Sequence, residues 1–352
     1  MKKVLLVTEI LSPPFDEGIK KTVFNIYSDL KANCNLRVIC REGFEDENIK
    51  VVKTNPLFFS SEVFSYIRAF KPERVVYFPF ASGTFASYLR LKVLSLFSFP
   101  SKKVFIALQA KKLKPWQKLF VQLFLKPKSA LTPSPDLHKI WDEMSIKSSI
   151  LPLWTDLNRF RLIADSSTKS ALRRKYKLPE DKFIISHMGH LNIGRNLHSL
   201  IPLQSKEVQI VVVSSTSTPK DALGPEDIRT DLEKNGIIIL DHYIDDIAEI
   251  YQLSDVYIFP VKAINSSIGM PLSILEARAC GIKVLTTDFG SIKSFMGDDF
   301  GNIFYSEPEN FAEELKKLRE SSSNPEQSNV YSLNQEFLNT VYQAIDVKRY
   351  TN

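Results

Sequence analysis

Cysteine is scarce in this 352-residue sequence, which contains only Cys34, Cys40 and Cys280. An odd and sparse set in apolar surroundings does not suit a disulfide framework, so we expect free, structural thiols in a reducing compartment. The cysteines and histidines nowhere have the spacing of metal ligands. Uncharged apolar runs are also short, and none reaches the roughly 18 residues that a membrane span needs. The sequence therefore argues against a disulfide-stapled scaffold, a zinc module and a membrane-spanning helix.

The N-terminus lacks the features of a cleaved signal peptide. MKKVLLVTEILSPP begins with two lysines and an apolar run. The run is only about eight residues long, contains Glu9 and ends without a small-residue cleavage site. We interpret this segment as a first β-strand, and we expect a cytoplasmic protein.

Acidic residues are missing from one long stretch of the first half. Between Arg74 and Pro135 there are eleven basic residues and no acidic one. Residues 1–158 contain 24 Lys and Arg against 14 Asp and Glu, whereas the remainder contains 22 against 26. The positive net charge of the chain therefore belongs to its first half.

Short apolar runs without polar alternation recur along the chain, which is typical of parallel strands covered on both faces. Strands are predicted in the first half at 4–8, 36–40, 50–53, 74–78 and 103–108, with helices at 20–32 and 84–96. The pattern restarts with strands at 182–187, 208–213, 236–240, 256–259 and 283–286, and with helices at 197–203, 246–253 and 272–279. Two further helices are predicted at 309–319 and 332–347.

These elements predict an α/β protein of two doubly wound, Rossmann-like domains. In such sheets ligands bind beyond the carboxyl ends of the strands, so we expect the two domains to face a central cleft. The irregular stretch LPLWTDLNRF marks the joint. We place the first domain at 1–158 and the second at 159–318. Residues 319–352 are predicted to be a polar linker and a C-terminal helix that packs back on the first domain.

One carboxylate lies in an unusual setting, within GMPLSILEARACGIKVLTTDFG. Pro271 suits the first turn of a helix and Gly281 the position just past its end, so Glu276 is predicted on a short helix. A carboxylate among apolar neighbours needs strong hydrogen-bond donors, and sugar hydroxyls are such donors. The amides at the helix start favour an anion such as a diphosphate. Alternatively, Glu276 pairs with a nearby Lys or Arg and only supports packing.

The same segment resembles the donor-binding segment of family 4 of the retaining glycosyltransferases, which have the GT-B fold. Other segments match that family in the expected order, over about residues 1–305 and most strongly between 150 and 290. These are SPPFDEGIKKTVFNI, ALTPSPDLHKIW, ILPLWTDLNRF, LRRKYKLPEDKFIISHMGHLNIGRNLHSLI and IILDHYIDDIAEIYQLSDVYIFP. The resemblance implies an acceptor-side first domain and a nucleotide-sugar donor domain after it.

The resemblance also implies roles for individual residues. Glu276 would hold the ribose and Arg195 the diphosphate, and these two are the predicted catalytic residues. His190 stands where the family has an Arg, directly after Gly189. The remaining predicted donor-binding residues are Gly18, Tyr243, Ile244, Ser266, Gly269, Met270, Pro271, Leu272 and Ser273. The alternative interpretation of Arg195 and His190 is that they are surface side chains in a polar turn.

Three departures from the family pattern concern the transferred sugar and the passage between the domains. The first Glu of the family's E-x7-E motif is missing, and its place falls on Ile268 by counting or on Ser266 by the Gly-Met-Pro anchor. The family's first-domain histidine corresponds to Gln109, our acceptor-side candidate. Trp154 replaces a glycine of the inter-domain passage. The identity of the donor sugar therefore stays open.

The reaction implied by the resemblance is a retaining transfer on the front face of the donor, to a glycan or lipid-linked acceptor. No D-x-D motif follows a strand, so we expect no metal; Asp245-Asp246 is interpreted as a helix cap and Asp298-Asp299 as a turn. One alternative is a degenerate nucleotide-sugar-binding subunit without transfer activity. Another is a GT-B sugar-nucleotide epimerase, which the lack of its usual acid and base residues disfavours.

The segment KKLKPWQKLFVQLFLKPK, residues 111–128, is basic and contains interleaved aromatics. On a helix, Leu113, Trp116, Phe120, Leu123 and Phe124 would form one stripe beside lysines, a pattern of helices at anionic membrane surfaces. This would place the protein at the inner face of the membrane. The alternative is a core-facing helix with solvated lysines. Nucleic-acid binding is disfavoured because no nucleic-acid module is present.

Overall fold

The computed structural model describes residues 1–15, 17–163, 165–214, 225–263, 266–297, 302–320 and 328–348. The chain forms two compact units. The first contains Met1–Leu153 and Gln335–Asn352, and the second contains Trp154–Asn334.

The first unit is built on a parallel sheet of seven strands in the order β5-β3-β1-β6-β7-β8-β9. These strands are β1 (Lys3–Thr8), β3 (Asn35–Cys40), β5 (Ile49–Val51), β6 (Arg74–Phe78), β7 (Lys102–Ile106), β8 (Ala130–Thr132) and β9 (Ser148–Ile150). A small two-stranded sheet pairs β2 (Ile10–Leu11) with β4 (Glu42–Gly43). The central strands are buried along their length because helices cover both faces, as their continuous apolar sequence predicts.

The helices of this unit are α1 (Gly18–Asn33), α2 (Ser61–Phe70), α3 (Phe85–Phe97), α4 (Pro115–Phe120) and α5 (Pro135–Glu143). A π-helix, Val121–Leu125, continues α4 directly. The core includes Tyr77, Tyr88, Phe105 and Trp141, all fully buried. The indole Nε1 of Trp141 donates to the hydroxyl of Tyr88 at 2.7 Å, so the polar edges of both rings are satisfied.

The second unit contains a parallel sheet of six strands in the order β12-β11-β10-β13-β14-β15. They are β10 (Phe183–Gly189), β11 (Val208–Ser214), β12 (Ile238–Leu240), β13 (Val256–Phe259), β14 (Lys283–Thr286) and β15 (Ile303–Tyr305). The helices are α6 (Ser166–Lys175), α7 (Pro225–Lys234), α8 (Ala248–Leu253), α9 (Leu272–Ala279), α10 (Ile292–Met296) and α11 (Phe311–Glu320). The helical segment predicted at 197–203 is a 3-10 helix, Leu197–Leu203, which contains Pro202.

Both sheets have a point at which the strand order changes direction. The chain runs outward from β1 through β3 to β5, then returns to β6 and runs the other way. In the second sheet the same change lies between β10 and β13. Loops that leave neighbouring strands toward opposite faces open a crevice there, which is where doubly wound proteins bind ligands. The predicted α/β class with two Rossmann-like halves is therefore confirmed.

The last helix, α12 (Ser328–Ile345), contributes to the core of the first unit. Its Phe337, Val341 and Ile345 are buried. The hydroxyl of Tyr342 donates to a carboxylate oxygen of Asp29 at 2.6 Å. Among the described residues no helix is long and apolar enough to cross a membrane. The three cysteines are free and buried, as predicted.

Candidate functional site

The predicted donor-binding residues of the second unit lie on three loops at the carboxyl ends of the strands of its sheet. One loop follows β10, one follows β12, and one runs from β13 to the start of α9. The strands β10 and β13 are neighbours at the point where the strand order changes direction. The chain fold therefore brings together residues that lie up to about eighty positions apart in the sequence, and it does so where a crevice is expected.

Arg195 is the most unusual side chain of these loops. It ends a short 3-10 helix, Ile193–Arg195, whose start is capped because the Asn192 side chain accepts from the backbone amide of Arg195 at 3.1 Å. The guanidinium is buried and lies over the ring of Phe259, 5.8 Å from its centre. Among the described residues no carboxylate pairs with it, and its Nε has no hydrogen-bond partner. Burial lowers the pKa of Arg195.

A buried cation without a counter-charge is costly, because it has lost its hydration without gaining a partner. Folded proteins rarely leave such a group uncompensated unless it serves a function. A guanidinium has five donors in a planar fork, which suits a carboxylate or a phosphate. Arg195 therefore indicates an anion site at the carboxyl end of the second sheet.

Gly189 and His190 lead into the loop that carries Arg195. Gly189 is the last residue of β10, and the Arg195 guanidinium packs against it so closely that a methyl group there would lie 2.8 Å from a guanidinium nitrogen. His190 is half-buried, and its carbonyl accepts from the amide of Asn192 at 3.1 Å. The backbone of both residues thus shapes the turn beneath the guanidinium.

A second histidine, which sequence reasoning did not single out, lies under the same site. His187 is fully buried in β10 and donates from Nδ1 to the carbonyl of Ile258 at 2.9 Å. Its ring stacks on Tyr257 of β13. Burial lowers the pKa of His187 to about 3, and the charge of Arg195 adds to this effect. The imidazole is therefore neutral, and it supports the site without adding a second positive charge.

The loop from β13 to α9 approaches the Arg195 loop closely at Gly194. A methyl group on Gly194 would lie 1.8 Å from the hydroxyl oxygen of Ser266, so only a glycine leaves room for Ser266 there. Ser266 is half-buried, whereas Ile268 is buried. The two loops are therefore in contact at Ser266, one of the two positions that could correspond to the first Glu of the family's E-x7-E motif.

The carbonyl of Gly269 is held by the segment after β14. It accepts from both the amide and the hydroxyl of Ser291, at 2.7 and 3.0 Å. Gly290, with a φ of +60°, lies so close that a methyl group would be 2.2 Å from the Gly269 oxygen. Sequence reasoning missed Gly290 and Ser291, although the DFGS turn after a strand was a visible signal. They fix the start of the segment that leads to Met270, which is buried.

The N-terminus of α9 carries no side-chain cap. Pro271 is the cap residue itself, rather than lying inside the first turn as predicted, and it offers no hydrogen-bonding side chain. The amides of the first turn, at Leu272 and Ser273, have no intrahelical acceptors. Leu272 is buried and Ser273 is half-buried. Because the helix begins directly after the loop that meets Arg195, both features favour an anion at the same end of the sheet.

Glu276 is one turn further along α9 and is buried. One of its carboxylate oxygens accepts from the hydroxyl of Tyr251, on α8, at 2.8 Å. Burial, together with the charge of Glu276, raises the pKa of Tyr251 well above its ordinary value. Tyr251 was not predicted as a site residue. Its bond fixes the position of the Glu276 carboxylate, and it is compatible with both the ribose-binding and the packing interpretation.

The loop after β12 contributes the residues predicted to contact the base. Tyr243 is exposed and Ile244 is buried. Asp246, just beyond them, accepts from the amide of Ala248, the first residue of α8, and pairs with Arg159 at 3.1 Å. The cap residue of α8 is Ile247, however, so the prediction of Asp245-Asp246 as the helix cap is wrong. Asp298 and Asp299, predicted as a turn, lie outside the described residues.

The site residues predicted in the first unit lie at the carboxyl ends of the strands of its own sheet. Gly18 begins α1, and its carbonyl accepts from the Thr22 hydroxyl at 2.7 Å. Gln109 follows β7 and lies beside Gly83. Sequence reasoning missed the buried carboxylate of Glu9 just after β1.

Glu9 connects both strands at which the order of the first sheet changes direction. Its carboxylate accepts from the Tyr77 hydroxyl at 2.9 Å, the Phe80 amide at 2.7 Å and the Arg90 guanidinium at 2.6 Å. Tyr77 belongs to β6 and Phe80 to the loop after it. Glu9 therefore fixes the loops beside the crevice of the first unit.

Metal binding was predicted to be absent. Within the part of the chain that the structure describes, no three or more His, Cys, Asp or Glu side chains form a group that could hold a metal ion. A reaction without a metal nevertheless stays a prediction, since it depends on the chemistry and not on this inventory.

Comparison with known proteins finds a family model that matches most of the second unit. Residues 188–321 match the family model described as Glycosyl transferases group 1. The Bacillus subtilis (strain 168) glycosyltransferase TuaC, named for teichuronic acid biosynthesis, is 26% identical over 166 residues. That match covers 46% of this chain and 39% of the relative, so the chain spans about two fifths of the curated relative's length.

Two solved structures resemble nearly the whole chain. Anabaena Alr3699/HepE in complex with UDP-glucose has a TM-score of 0.74 at 14% identity and covers 97% of this chain and 100% of that chain. Sucrose-phosphate synthase from Thermosynechococcus elongatus has a TM-score of 0.70 at 14% identity, with 98% and 96% covered. Identities this low show the fold alone, and the fold is the GT-B fold that the resemblance predicted.

Proposed function

We propose that residues 188–321, which match the family model described as Glycosyl transferases group 1, form a glycosyltransferase domain, and that the chain transfers a sugar from a nucleotide-sugar donor to a glycan or lipid-linked acceptor. The observation that carries the proposal is the buried guanidinium of Arg195. It has no carboxylate partner among the described residues, and it lies on the loop that meets the segment leading to the uncapped start of α9. Two independent sources of positive potential, the Arg195 guanidinium and the first amides of α9, therefore lie at the carboxyl end of the same sheet.

The donor would use this end of the sheet in a definite way. Its diphosphate would accept hydrogen bonds from Arg195 and from the amides of Leu272 and Ser273. The ribose hydroxyls would donate to Glu276, whose carboxylate is held in place by Tyr251. The base would lie beside Tyr243 and Ile244. A fold shared with a protein described in complex with UDP-glucose supports a nucleotide-sugar ligand.

We propose a retaining, front-face reaction of the family 4 type, without a metal, that transfers a hexose. The bond between the sugar's anomeric carbon and the diphosphate oxygen breaks, and a bond to the acceptor oxygen forms on the same face. The acceptor's proton passes to the leaving diphosphate. The protein's contribution is to neutralise the developing diphosphate charge and to orient both substrates.

The acceptor class follows from the relative and from the first unit. TuaC is named for teichuronic acid biosynthesis, which favours a growing glycan or its lipid-linked precursor. Gln109 and the Gly18 loop would contribute from the first unit. We propose that the protein acts in the cytoplasm, at the inner face of the membrane.

A second candidate function is a nucleotide-sugar-binding subunit without transfer activity. The observation that favours it is the loss of the family's first Glu, since neither candidate position can replace a carboxylate. Ile268 is apolar and buried, and Ser266 is tightly packed against Gly194. Loss of the sugar contact would leave nucleotide binding in place while weakening catalysis.

Nucleotide binding tests the proposal most directly. In thermal unfolding with UDP, GDP or ADP, we expect one nucleotide to raise the unfolding temperature of the wild-type protein, because a ligand of the native state stabilises it. Arg195→Ala and Glu276→Ala should each weaken that binding at least about tenfold, the loss of one charge-assisted contact. The control is Arg174→Ala, which removes an exposed guanidinium paired with Glu180.

Donor turnover separates the two candidate functions. The enzyme should release nucleoside diphosphate from one of the UDP-, GDP- or ADP-sugars in the presence of an acceptor extract. Nucleotide binding without release across that panel would favour the binding subunit. If no nucleotide binds, or if Arg195→Ala binds like the wild-type protein, the donor site has been assigned wrongly.

A further inference from the structure

The segment 115–125 of the first unit exposes an unusual density of large apolar side chains. Trp116, Leu119, Phe120, Leu123 and Phe124 are exposed by 56, 57, 40, 62 and 57%. The core-facing interpretation of the predicted stripe is therefore wrong for every member except Leu113, which is buried. Scattered exposed apolar residues are ordinary, but a contiguous group marks an interaction surface.

The local helix geometry separates the exposed group from the residues that the core needs. Val121 and Leu125 are buried and attach this segment to the first unit's core. Because they are the first and last residues of the π-helix, Leu123 and Phe124 lie between them on its outer side. Val121 and Leu125 are therefore buried without Leu123 and Phe124, so the folded unit leaves Leu123 and Phe124 available for a partner.

Lysines surround this apolar group without being neutralised. Lys112, Lys114, Lys126 and Lys128 are exposed, and Lys111 and Lys118 are half-buried. Among the described residues none of the six has an ion-pair partner. No acidic residue occurs between Arg74 and Pro135. A partner that covers this surface must therefore be apolar and negatively charged at once.

This exposed apolar surface lies near the loops at the carboxyl end of the first sheet. Phe85, the first residue of α3, packs edge-to-face against Trp116 and Phe120, with ring centres 5.3 and 6.0 Å apart. α3 begins directly after the loop that follows β6, which Glu9 holds at the Phe80 amide. Gly83 of that loop lies beside Gln109, so a partner on this surface would lie near a residue that our proposed function assigns to the acceptor side.

We propose that Trp116, Leu119, Phe120, Leu123 and Phe124, with the lysines around them, form a docking surface for an anionic lipid bilayer. The apolar side chains enter the boundary between headgroups and acyl chains, while the lysines contact the headgroups. A bilayer combines apolar depth with negative charge, whereas a nucleic acid offers no partner for Leu119 and Leu123. This inference rests on the proposed function in one respect, because a lipid-linked acceptor would then reach the first unit from the membrane.

Sedimentation with vesicles tests the proposal. The full chain should bind phosphatidylcholine vesicles that contain phosphatidylglycerol at least about tenfold better than pure phosphatidylcholine vesicles, and less well as salt rises. The triple variant Lys112→Gln, Lys114→Gln and Lys126→Gln should lose at least about tenfold in binding, because each lysine near an anionic surface contributes. Its control is the triple variant Lys206→Gln, Lys234→Gln and Lys316→Gln, which removes exposed lysines of the second unit.

The apolar contribution needs its own variants. Trp116→Ser with Phe124→Ser should abolish the binding that persists at high salt, whereas Tyr331→Ser, which removes an equally exposed aromatic ring, should not. Circular dichroism measures the folding of each variant, and the spectra should stay unchanged. Binding to neither type of vesicle, or equal binding by all variants, would overturn the proposal, as would self-association that the aromatic variant alone abolishes.

The two proposals fail separately in these measurements. Vesicle binding needs no donor, so its absence with normal donor turnover rejects only the docking surface. Failure of nucleotide binding with normal vesicle binding rejects only the proposed donor site.

Discussion

Tyr251 is the residue through which the position of Glu276 can be tested. Its hydroxyl donates to the carboxylate at 2.8 Å, and both groups are buried. In Tyr251→Phe the carboxylate loses a donor but keeps its charge, so we expect nucleotide affinity to fall about three- to tenfold, the usual value of one such bond. Calorimetric titration with the nucleotide found in the thermal panel measures this effect.

Tyr88→Phe provides the matched control, because it also removes a buried tyrosine hydroxyl, but in the first unit, where that hydroxyl accepts from Trp141. It should lower stability without changing nucleotide affinity. Equal losses of affinity in both variants would mean that Tyr251 acts only through global stability, and that Glu276 need not be positioned by it.

His187 makes the stability of the second unit depend on pH. The folded protein holds the pKa of His187 at about 3, mainly by burial, against an ordinary value of 6.5. As the pH falls below 6.5, His187 becomes protonated in the unfolded chain, whereas it stays neutral in the folded chain. The stabilising contribution is therefore complete above pH 6.5 and decreases toward pH 3, by up to about 1.4 kcal/mol per pH unit.

Urea unfolding between pH 7 and pH 4.5 can isolate this contribution. His187→Gln retains a donor for the carbonyl of Ile258 but has no titrating group, so its stability should change less steeply with pH than that of the wild-type protein. Parallel pH profiles of the two proteins would contradict the assignment of a neutral, buried imidazole.

At the scale of elements, the candidate site depends on two loops that meet at a glycine. In Gly194→Ala the new methyl group would lie 1.8 Å from the Ser266 hydroxyl oxygen, so one loop must move. Because the two loops lead to Arg195 and to α9, we expect a loss of nucleotide affinity of at least about tenfold while the sheet stays folded. The same calorimetric titration, with circular dichroism for the fold, measures both quantities.

A second substitution shows whether this collision is the cause. Ser266→Gly removes the atoms that the methyl group meets, so the double variant should recover part of the lost affinity. Gly83→Ala is the control, since a methyl group there meets its neighbours only at 3.6 Å. An additive effect of the two substitutions would show that the loops do not meet in solution as they do here.

The sequence predicted most elements because their apolar runs are continuous and short. The strands at Arg74–Phe78, Val256–Phe259 and Lys283–Thr286 have the predicted bounds. Pattern reasoning was less successful where the backbone geometry depends on one residue. The predicted helical segment at 197–203 is a 3-10 helix that contains Pro202, and the predicted helix within 111–128 consists of α4 followed by a π-helix, Val121–Leu125.

The site was predicted only in part, for a related reason. The roles of Arg195 and Glu276 came from the family resemblance, whose motifs place residues along the chain. Tyr251 and Glu9 act through contacts with distant segments, and no local sequence pattern predicts such a contact. Glu9 was used only as an argument against a signal peptide. The sequence shows that a charged residue interrupts an apolar run, but it does not show which distant residues bond to that charge.

At the scale of the whole molecule, the first unit is assembled from two separate parts of the chain. The polypeptide leaves it after Leu153 and returns at Gln335. Residues of the returning segment are buried in that unit, and Arg74 of β6 pairs with Asp346 at 2.6 Å. The stability of the first unit therefore depends on residues that are far from the rest of it in sequence.

The two connections themselves are joined at their second-unit ends. The amide of Thr155 donates to the Asn334 side-chain oxygen at 3.1 Å, and the Asn334 side-chain nitrogen donates to the carbonyl of Thr155 at 2.7 Å. Both residues are buried. Asn334→Ala would leave a buried N–H and a buried C=O without these partners, so we expect the free energy of unfolding to fall by about 2–3 kcal/mol. Urea unfolding measures the change.

Two further variants show whether the buried pair of hydrogen bonds is responsible. Asn334→Asp keeps the acceptor for the Thr155 amide but loses the donor, and it places a charge in a buried site, so it should not restore wild-type stability. Asn235→Ala removes an exposed side chain just after α7, whose amide donates to the carbonyl of Asp231 in that helix, and should cost under about 0.5 kcal/mol. Equal costs at Asn334 and Asn235 would mean that water replaces the bonds to Thr155, and that the two connections are not held together by this contact.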